Sequence, residues 1–434
     1  MHSLLPSVYL LLASAAVATC QQWDDCKAHL DGHLPYYVPP SFTFSGRVRR
    51  YYVAAEVEPW DYAPTGTPIL PATLVLMNIG WDNWLGVPMT ESFRAQTWGY
   101  IASNTSIGST LDKAQYKGYT DESFKERTKH PDWLGLQGPI LRAEVGDMIE
   151  KYAKFMEIMF VNKMDKFFSS MHSMGLFYTK ESEGSVYYNG TESVTIGNAV
   201  PPGGCFVYKW YHGTKLLTID DELLTSVRLV PSISAPNPSH DNRIFSYHPY
   251  VSMYKDQDAG LSRIPSSPCI MSKNYLPGME SQVANLSFEY PNVIQDIGNH
   301  SIWYPQFINT PKTNVTTTMA PNFFPINGYI FANFPAFKMC VDDPVIWYLY
   351  DMGFDTHVFH MHGENTIDVV TGASSATVVL NPGQMTSVLM TASNPGWWQL
   401  ICHFTTHLSK GMEGNYIVYG GPYGECSLQP LEGR

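Results

Sequence analysis

Four strings decide the fold of this chain: KMCVDDPVIWYLY (338–350), VFHMHG (358–363), LNPGQMTSVLM (380–390) and WWQLICH (397–403). They run from an apolar strand opened by an acidic turn to a histidine-bearing strand. A Pro-Gly turn follows, then an aromatic-apolar strand that ends at histidine. The same order occurs once earlier, in GPILRAEVGDMIEKY (138–152), SSMHSMG (169–175) and VPPGGCFVYKWYH (200–212). Short alternating strands punctuated by turns and repeated as a unit predict an all-β protein of two Greek-key β-sandwich domains.

Outward from these strings, VPSISAPNPSHDN (230–242) is rich in Pro, Ser and Asn and reads as a connection. The expected organisation is a signal peptide at 1–20, an N-terminal segment at 21–45, a first domain at 46–230 and a linker at 231–242. A second domain at 243–424 and a tail at 425–434 complete it. KYAKFMEIMFVNKMDKF (151–167) is the best candidate for a helix, with an ambiguous period. Only 15% of the chain is charged, whereas Gly (33), Pro (31) and Tyr (27) abound, which suits strands and turns over long helices.

A formal net charge of −12 excludes the basic surface that nucleic acid or an anionic membrane would need. The first twenty residues, MHSLLPSVYLLLASAAVATC, carry no charge and pass from Leu-rich to small residues, as a secretory signal does. No later stretch is apolar for long enough to span a bilayer, so a secreted, extracellular protein is expected. Sequons at Asn104, Asn189, Asn285, Asn299 and Asn314 agree with that. Six cysteines follow the signal: Cys26, Cys205, Cys269, Cys340, Cys402 and Cys426. They would pair in an oxidising compartment, and a thiolate metal ligand among them would leave an odd one.

Five histidines and one cysteine crowd HVFHMHG and ICHFTTHLSKGM. His360 and His362, at i and i+2, share one face of a strand. Cys402, His407 and Met412 are spaced by five and five, which suits a loop that folds back to present three donors to one ion. With His357 the set is two imidazoles, a thiolate and a thioether, the donors of a blue-copper electron-transfer site with a weak axial methionine. Singly, a buried His or Met is ordinary core packing and a secreted Cys is ordinarily half of a disulfide. The joint spacing is what points to copper.

At these residues the chain resembles the multicopper oxidases, in particular the branch of ceruloplasmin, hephaestin and coagulation factors V and VIII. The resemblance is carried by YYVAAEVEPWDYAP (51–64), LGLQGPILRAEVGD (134–147), GLFYTKESEGSVY (175–187), INGYIFANFPAFKMC (326–340) and the two histidine strings. It implies cupredoxin domains, and it implies His357, Cys402, His407 and Met412 as the ligands of a type 1 copper through which electrons enter. It also implies a three-copper cluster built from paired histidines, and here the pairs are broken. One ion would take His172 and His360, both present. A second would take positions 174, 212 and 403, with Met174 in place of one imidazole beside His212 and His403. The third would take positions 214, 362 and 401, where only His362 survives beside Thr214 and Ile401. An incomplete cluster is therefore expected. The iron-holding acid and histidine of ferroxidases are implied at positions where this chain has Thr406 and Phe324. A disulfide between Cys269 and Cys340 is implied as well.

Two functions follow as expectations. One is a copper oxidoreductase that removes single electrons from a metal ion or a small reductant. The other is a non-enzymatic binding, electron-transfer or structural protein built on the same domains. A chain with two such domains would bring its first and last together by forming a head-to-tail homo-trimer.

Overall fold

The computed structural model describes residues 23–33, 44–64, 109–143, 153–187, 195–211, 246–251, 270–271, 280–285, 324–333, 335–351, 355–368 and 371–426. The first nine strands are β1 (Phe44–Asp61), β2 (Thr110–Tyr119), β3 (Arg142–Ala143), β4 (Ala153–Asn162), β5 (His172–Met174), β6 (Phe177–Tyr178), β7 (Cys205–Tyr211), β8 (Ser246–His248) and β9 (Ile270–Met271). The next five are β10 (Glu280–Asn285), β11 (Phe337–Cys340), β12 (Pro344–Tyr350), β13 (His357–Met361) and β14 (Thr366–Asp368). The last five are β15 (Ser374–Ser375), β16 (Thr377–Leu380), β17 (Met385–Thr391), β18 (Gly396–Cys402) and β19 (Glu413–Tyr419). The all-β expectation is met. Helix among the described residues is confined to short turns such as 23–27 and Thr405–Leu408, and no helix there is long and apolar enough to cross a membrane.

The pairing shows the repeat strand by strand. β1 lies parallel to β4, and β4 antiparallel to β7, in the sheet β2-β1-β4-β7-β6. In the second copy β10 lies parallel to β12, and β12 antiparallel to β17, in the sheet β10-β12-β17-β14-β15. The opposing sheet of the second copy, β11-β19-β18-β13-β16, pairs β13 with β18 antiparallel and β11 with β19 parallel. Its counterparts in the first copy are β5 with β8 antiparallel and β3 with β9 parallel.

Two expectations are corrected here. The boundary at 231–242 falls too early, because β8 and β9, which follow residue 243, pair back into the first copy and Tyr247 sits in its core. The helix proposed over 151–167 is instead strand β4. Residues 156–162 are fully buried, because β4 is covered on both sides. One side meets Tyr116, Tyr208 and Trp210; the other meets the N-terminal segment through Trp23, Cys26 and Leu30. A strand buried on both faces reads as a continuous apolar run, which masks its period.

That N-terminal segment is fastened by a Cys26–Cys205 disulfide and by the fully buried Glu157. Glu157 accepts hydrogen bonds from the Gly32 amide at 2.8 Å and from Arg50 Nε at 2.9 Å. The second disulfide joins Cys340 to Cys426, so Cys340 does not take the expected partner Cys269, which lies outside the described residues. Among the described residues Cys402 alone is a free cysteine.

Residues 134–139 and 326–333 join the two copies. Leu136 N–H donates to the Asn327 carbonyl at 3.1 Å, Gln137 Nε2 donates to Asn327 Oδ1 at 2.5 Å, and Tyr350 Oη donates to Gln137 Oε1 at 2.7 Å. Gly135 sits at φ +60°, where a Cβ would lie 2.0 Å from the Asn327 carbonyl oxygen, so only glycine permits this approach. Ile330 and Phe331 then enter the first core while Ile326 and Phe324 enter the second.

Candidate metal centre

Strand alternation sorts the histidines of HVFHMH before any metal is considered. Along β13 residues 357, 359 and 361 are buried and residues 358 and 360 half-buried. His357 therefore points into the second core, where it is fully buried, while His360 faces outward. Phe359 lies opposite Cys402 in the β13–β18 register, so Cys402 reaches the same core, also fully buried. Beyond Cys402 the chain makes the single helical turn Thr405–Leu408 and folds back. Met412 N–H donates to the His407 carbonyl at 3.2 Å and Cys402 N–H to the Met412 carbonyl at 3.0 Å. Gly411 makes that return possible. Its φ is +96°, and a Cβ there would stand 2.9 Å from Phe331.

The result is a compact donor set. Cys402 Sγ lies 3.8 Å from His357 Nδ1 and 3.6 Å from His407 Nδ1, and Met412 is fully buried in the same core cluster. His357, Cys402 and His407 form the only group among the described residues in which three His, Cys, Asp or Glu ligand atoms lie within 4.8 Å of one another. Both rings are oriented from behind. His407 Nε2–H donates to Asp355 Oδ2 at 3.2 Å, and His357 Nε2 stands 3.7 Å from the buried Asp351 Oδ1. Each interaction favours the proton on Nε2 and turns the Nδ1 lone pair toward the sulfur. Burial pushes the Cys402 thiol above its ordinary value, although the amides of Val358 and Phe404 oppose this. Burial lowers His407.

One soft thiolate, two imidazole Nδ1 atoms and a thioether in a dry pocket fit copper, and a bound copper ion would stabilise the thiolate that burial alone disfavours. His357, Cys402 and His407 would hold it, with the thioether of Met412 available as a further soft donor. It would supply a one-electron redox couple there. What the chain itself contributes is rigid placement, exclusion of water and a hydrogen bond from the Val358 amide to Cys402 Sγ at 3.4 Å.

The other histidines form two further groups. His360, His362 and His403 cluster on the outer side of the second copy, with ring centroids 5.2 Å and 5.5 Å from His360. His403 is exposed, and His360 Nδ1–H donates to the Ala376 carbonyl at 2.8 Å. Burial, followed by the charges of His360 and His403, lowers His362. In the first copy His172 lies directly opposite His248, with ring centroids 5.4 Å apart. Burial lowers both, His248 to about 4.

His212, expected with Met174 and His403 around a second ion, lies outside the described residues, and the position opposite His172 belongs to His248. Sequence reasoning missed His248, although a signal was present. VPPGGCFVYKW matches LNPGQMTSVLM, so the counterpart of WWQLICH had to come later, at RIFSYH (243–248). The substituted positions are also in view. Ile401 is buried opposite His360 in the register, and Met174 packs against the buried pair Tyr348 and Tyr350. Phe324 stacks on His407 at a centroid distance of 4.4 Å.

Fold and site together define a cupredoxin-type domain with a buried group of one cysteine and two histidines. Residues 305–421 match the family model described as multicopper oxidase, and the chain carries a multicopper oxidase domain. Copper is the cofactor of that family. The chain is 30% identical over 384 residues to ferroxidase HEPHL1 of Homo sapiens, covering 85% of this chain and 29% of that protein. It is 26% identical over 400 residues to human hephaestin, covering 89% and 30%, and 27% identical over 385 residues to Rattus norvegicus ceruloplasmin, covering 86% and 32%. The chain thus spans about a third of the length of these relatives. The solved structure of multicopper oxidase mgLAC shares the fold, with a TM-score of 0.50 at 13% identity over 87% of this chain and 88% of that one.

Proposed function

We propose that this chain is a secreted copper oxidoreductase that accepts single electrons from a small reductant or a metal ion at a type 1 copper. Its three-copper cluster is incomplete. The observation that carries this reading is the buried triad of Cys402 Sγ and the two Nδ1 atoms at 3.6 and 3.8 Å, beside Met412. Two disulfides support an oxidising compartment, as does the uncharged leader at 1–20, which lies outside the described residues. So do the sequons, of which Asn285 ends β10 and Asn104, Asn189, Asn299 and Asn314 lie outside those residues.

Incompleteness of the cluster rests on Ile401, buried opposite His360, and on Met174, packed against Tyr348 and Tyr350, neither of which offers an imidazole. The homo-trimer remains part of the proposal, since it would bring the His172–His248 group of one subunit to the outward His360–His362–His403 group of another. A monomeric mass at micromolar concentration would remove it. Met174 also favours a second reading, in which the histidine groups are remnants and the domains serve as a copper-binding or electron-transfer scaffold. The test is anaerobic titration of the copper-loaded protein with reductants of graded potential. Stoichiometric bleaching of the blue absorption supports the oxidoreductase. A blue centre that no reductant bleaches leaves the scaffold.

A further inference from the structure

A buried carboxylate stands behind one ring of the metal centre. Asp351 follows directly on β12 and is 0% exposed, as is His357, whose Nε2 lies 3.7 Å from Asp351 Oδ1. The backbone of Asp351 is held on both sides. Its amide donates to the Gln384 carbonyl at 3.0 Å, and its carbonyl accepts from the Gly383 amide at 2.8 Å. Anchoring and burial together leave the carboxylate little freedom to turn from the ring. Its field also reaches the sulfur: burial is the largest influence raising the Cys402 thiol, and the charges of Asp351 and Asp355 act in the same direction. Asp355 differs in kind. It meets His407 at 3.2 Å, but its side chain is 52% exposed, where water and salt screen its charge.

We infer that Asp351 sets the redox poise of the metal centre: its buried charge holds divalent copper in preference to monovalent copper. Asp351 acts through His357, on the edge of the ring away from Nδ1, and is a positioning residue. The inference rests on the copper reading above and deepens it. The carboxylate makes the centre a weaker oxidant than the same donors without it, so the site favours strongly reducing donors.

Charge accounting gives the direction. One thiolate with divalent copper leaves a single positive charge in a pocket closed to water, and one thiolate with monovalent copper leaves none. A buried carboxylate neutralises the first state and leaves the second with an uncompensated negative charge, which burial disfavours. In the reduction the donor loses one electron and the metal gains it, while Asp351 exchanges nothing. At an effective dielectric constant of about 20, a unit charge acting over even twice the 3.7 Å contact shifts a one-electron equilibrium by more than ten-fold. A carboxylate serving only as packing has no such preference, and an acid buried without a positive charge near it lowers stability.

The test is spectroelectrochemical titration of the copper-loaded full chain beside Asp351→Asn, Asp351→Glu and Asp355→Asn. Asp351→Asn keeps the shape and removes the charge, so its absorption and EPR spectra are expected to match wild type. Its equilibrium constant for reduction is expected to be at least about ten-fold larger, a potential about 59 mV higher. Asp351→Glu, which keeps the charge, should stay within about three-fold of wild type, and Asp355→Asn should shift less than Asp351→Asn. Should Asp351→Asn not load copper, Asp351→Ser supplies a smaller neutral side chain for the same comparison. An unchanged or lower potential in the neutral variant overturns the inference. So does a shift in Asp351→Glu or Asp355→Asn as large as that in Asp351→Asn. A wild type that forms no blue centre sinks the copper reading itself, whereas a blue centre indifferent to Asp351 overturns this inference alone.

Discussion

Removing the Cys340–Cys426 bridge by Cys426→Ser separates two pairings that sequence alone leaves open. The bridge ties the end of β11 to the chain beyond β19, across 86 residues. β11 and β19 are already held in parallel register from Phe337–Tyr416 to Cys340–Tyr419, and Val341 N–H donates to the Tyr419 carbonyl at 2.8 Å. The folded state therefore needs little rearrangement when the bridge is lost, and the cost falls on the unfolded chain. Closing a loop of this size lowers unfolded-state entropy by an amount worth about 4.6 kcal/mol at 25 °C, with measured bridges usually giving about 2–4 kcal/mol. Guanidinium unfolding followed by tryptophan fluorescence should show Cys426→Ser destabilised by that amount and Cys269→Ser essentially unchanged. Non-reducing peptide mapping should recover Cys340 joined to Cys426. Equal loss in Cys269→Ser with Cys426→Ser unaffected would refute the reasoning and restore the Cys269–Cys340 pairing.

His360→Ala and His362→Ala should each leave the blue absorption intact, because these rings lie on the face of the strand opposite His357. His357→Ala or Cys402→Ala should abolish it, as absorption spectroscopy of the copper-loaded variants will show. Stability should decline as pH falls from about 6.5 toward 4. His248 is neutral in the folded state down to about 4 because burial disfavours its charge, whereas the unfolded chain takes up its proton near the ordinary value. In that window the unfolded state binds more protons, so each unit of acidification costs up to about 1.4 kcal/mol from this group. Thermal unfolding across the range should show His248→Gln flatter than wild type by about one proton.

The grouping of His357, Cys402 and His407 was legible in the sequence because they lie on one strand and one short loop that begins at the neighbouring strand's end. The repeat was legible for the same reason. Long-range pairing was not. Nothing local in SYHPY reveals that Ser246–His248 crosses a Pro-rich connection to pair with His172–Met174, and so His248 was overlooked and the boundary fell early. β4 was obscured because burial on both faces erased its alternation. Asp355 and Phe404 could not be recognised as neighbours of His407 without the turn that Gly411 permits.

Copper content per chain, measured together with EPR on the purified protein, tests the central claim most directly. The account predicts one tightly held copper with the narrow hyperfine splitting of a type 1 centre, lost in Cys402→Ala and unaffected by His362→Ala. A protein that binds no copper would contradict it. So would a complete complement of four coppers with an EPR-silent coupled pair.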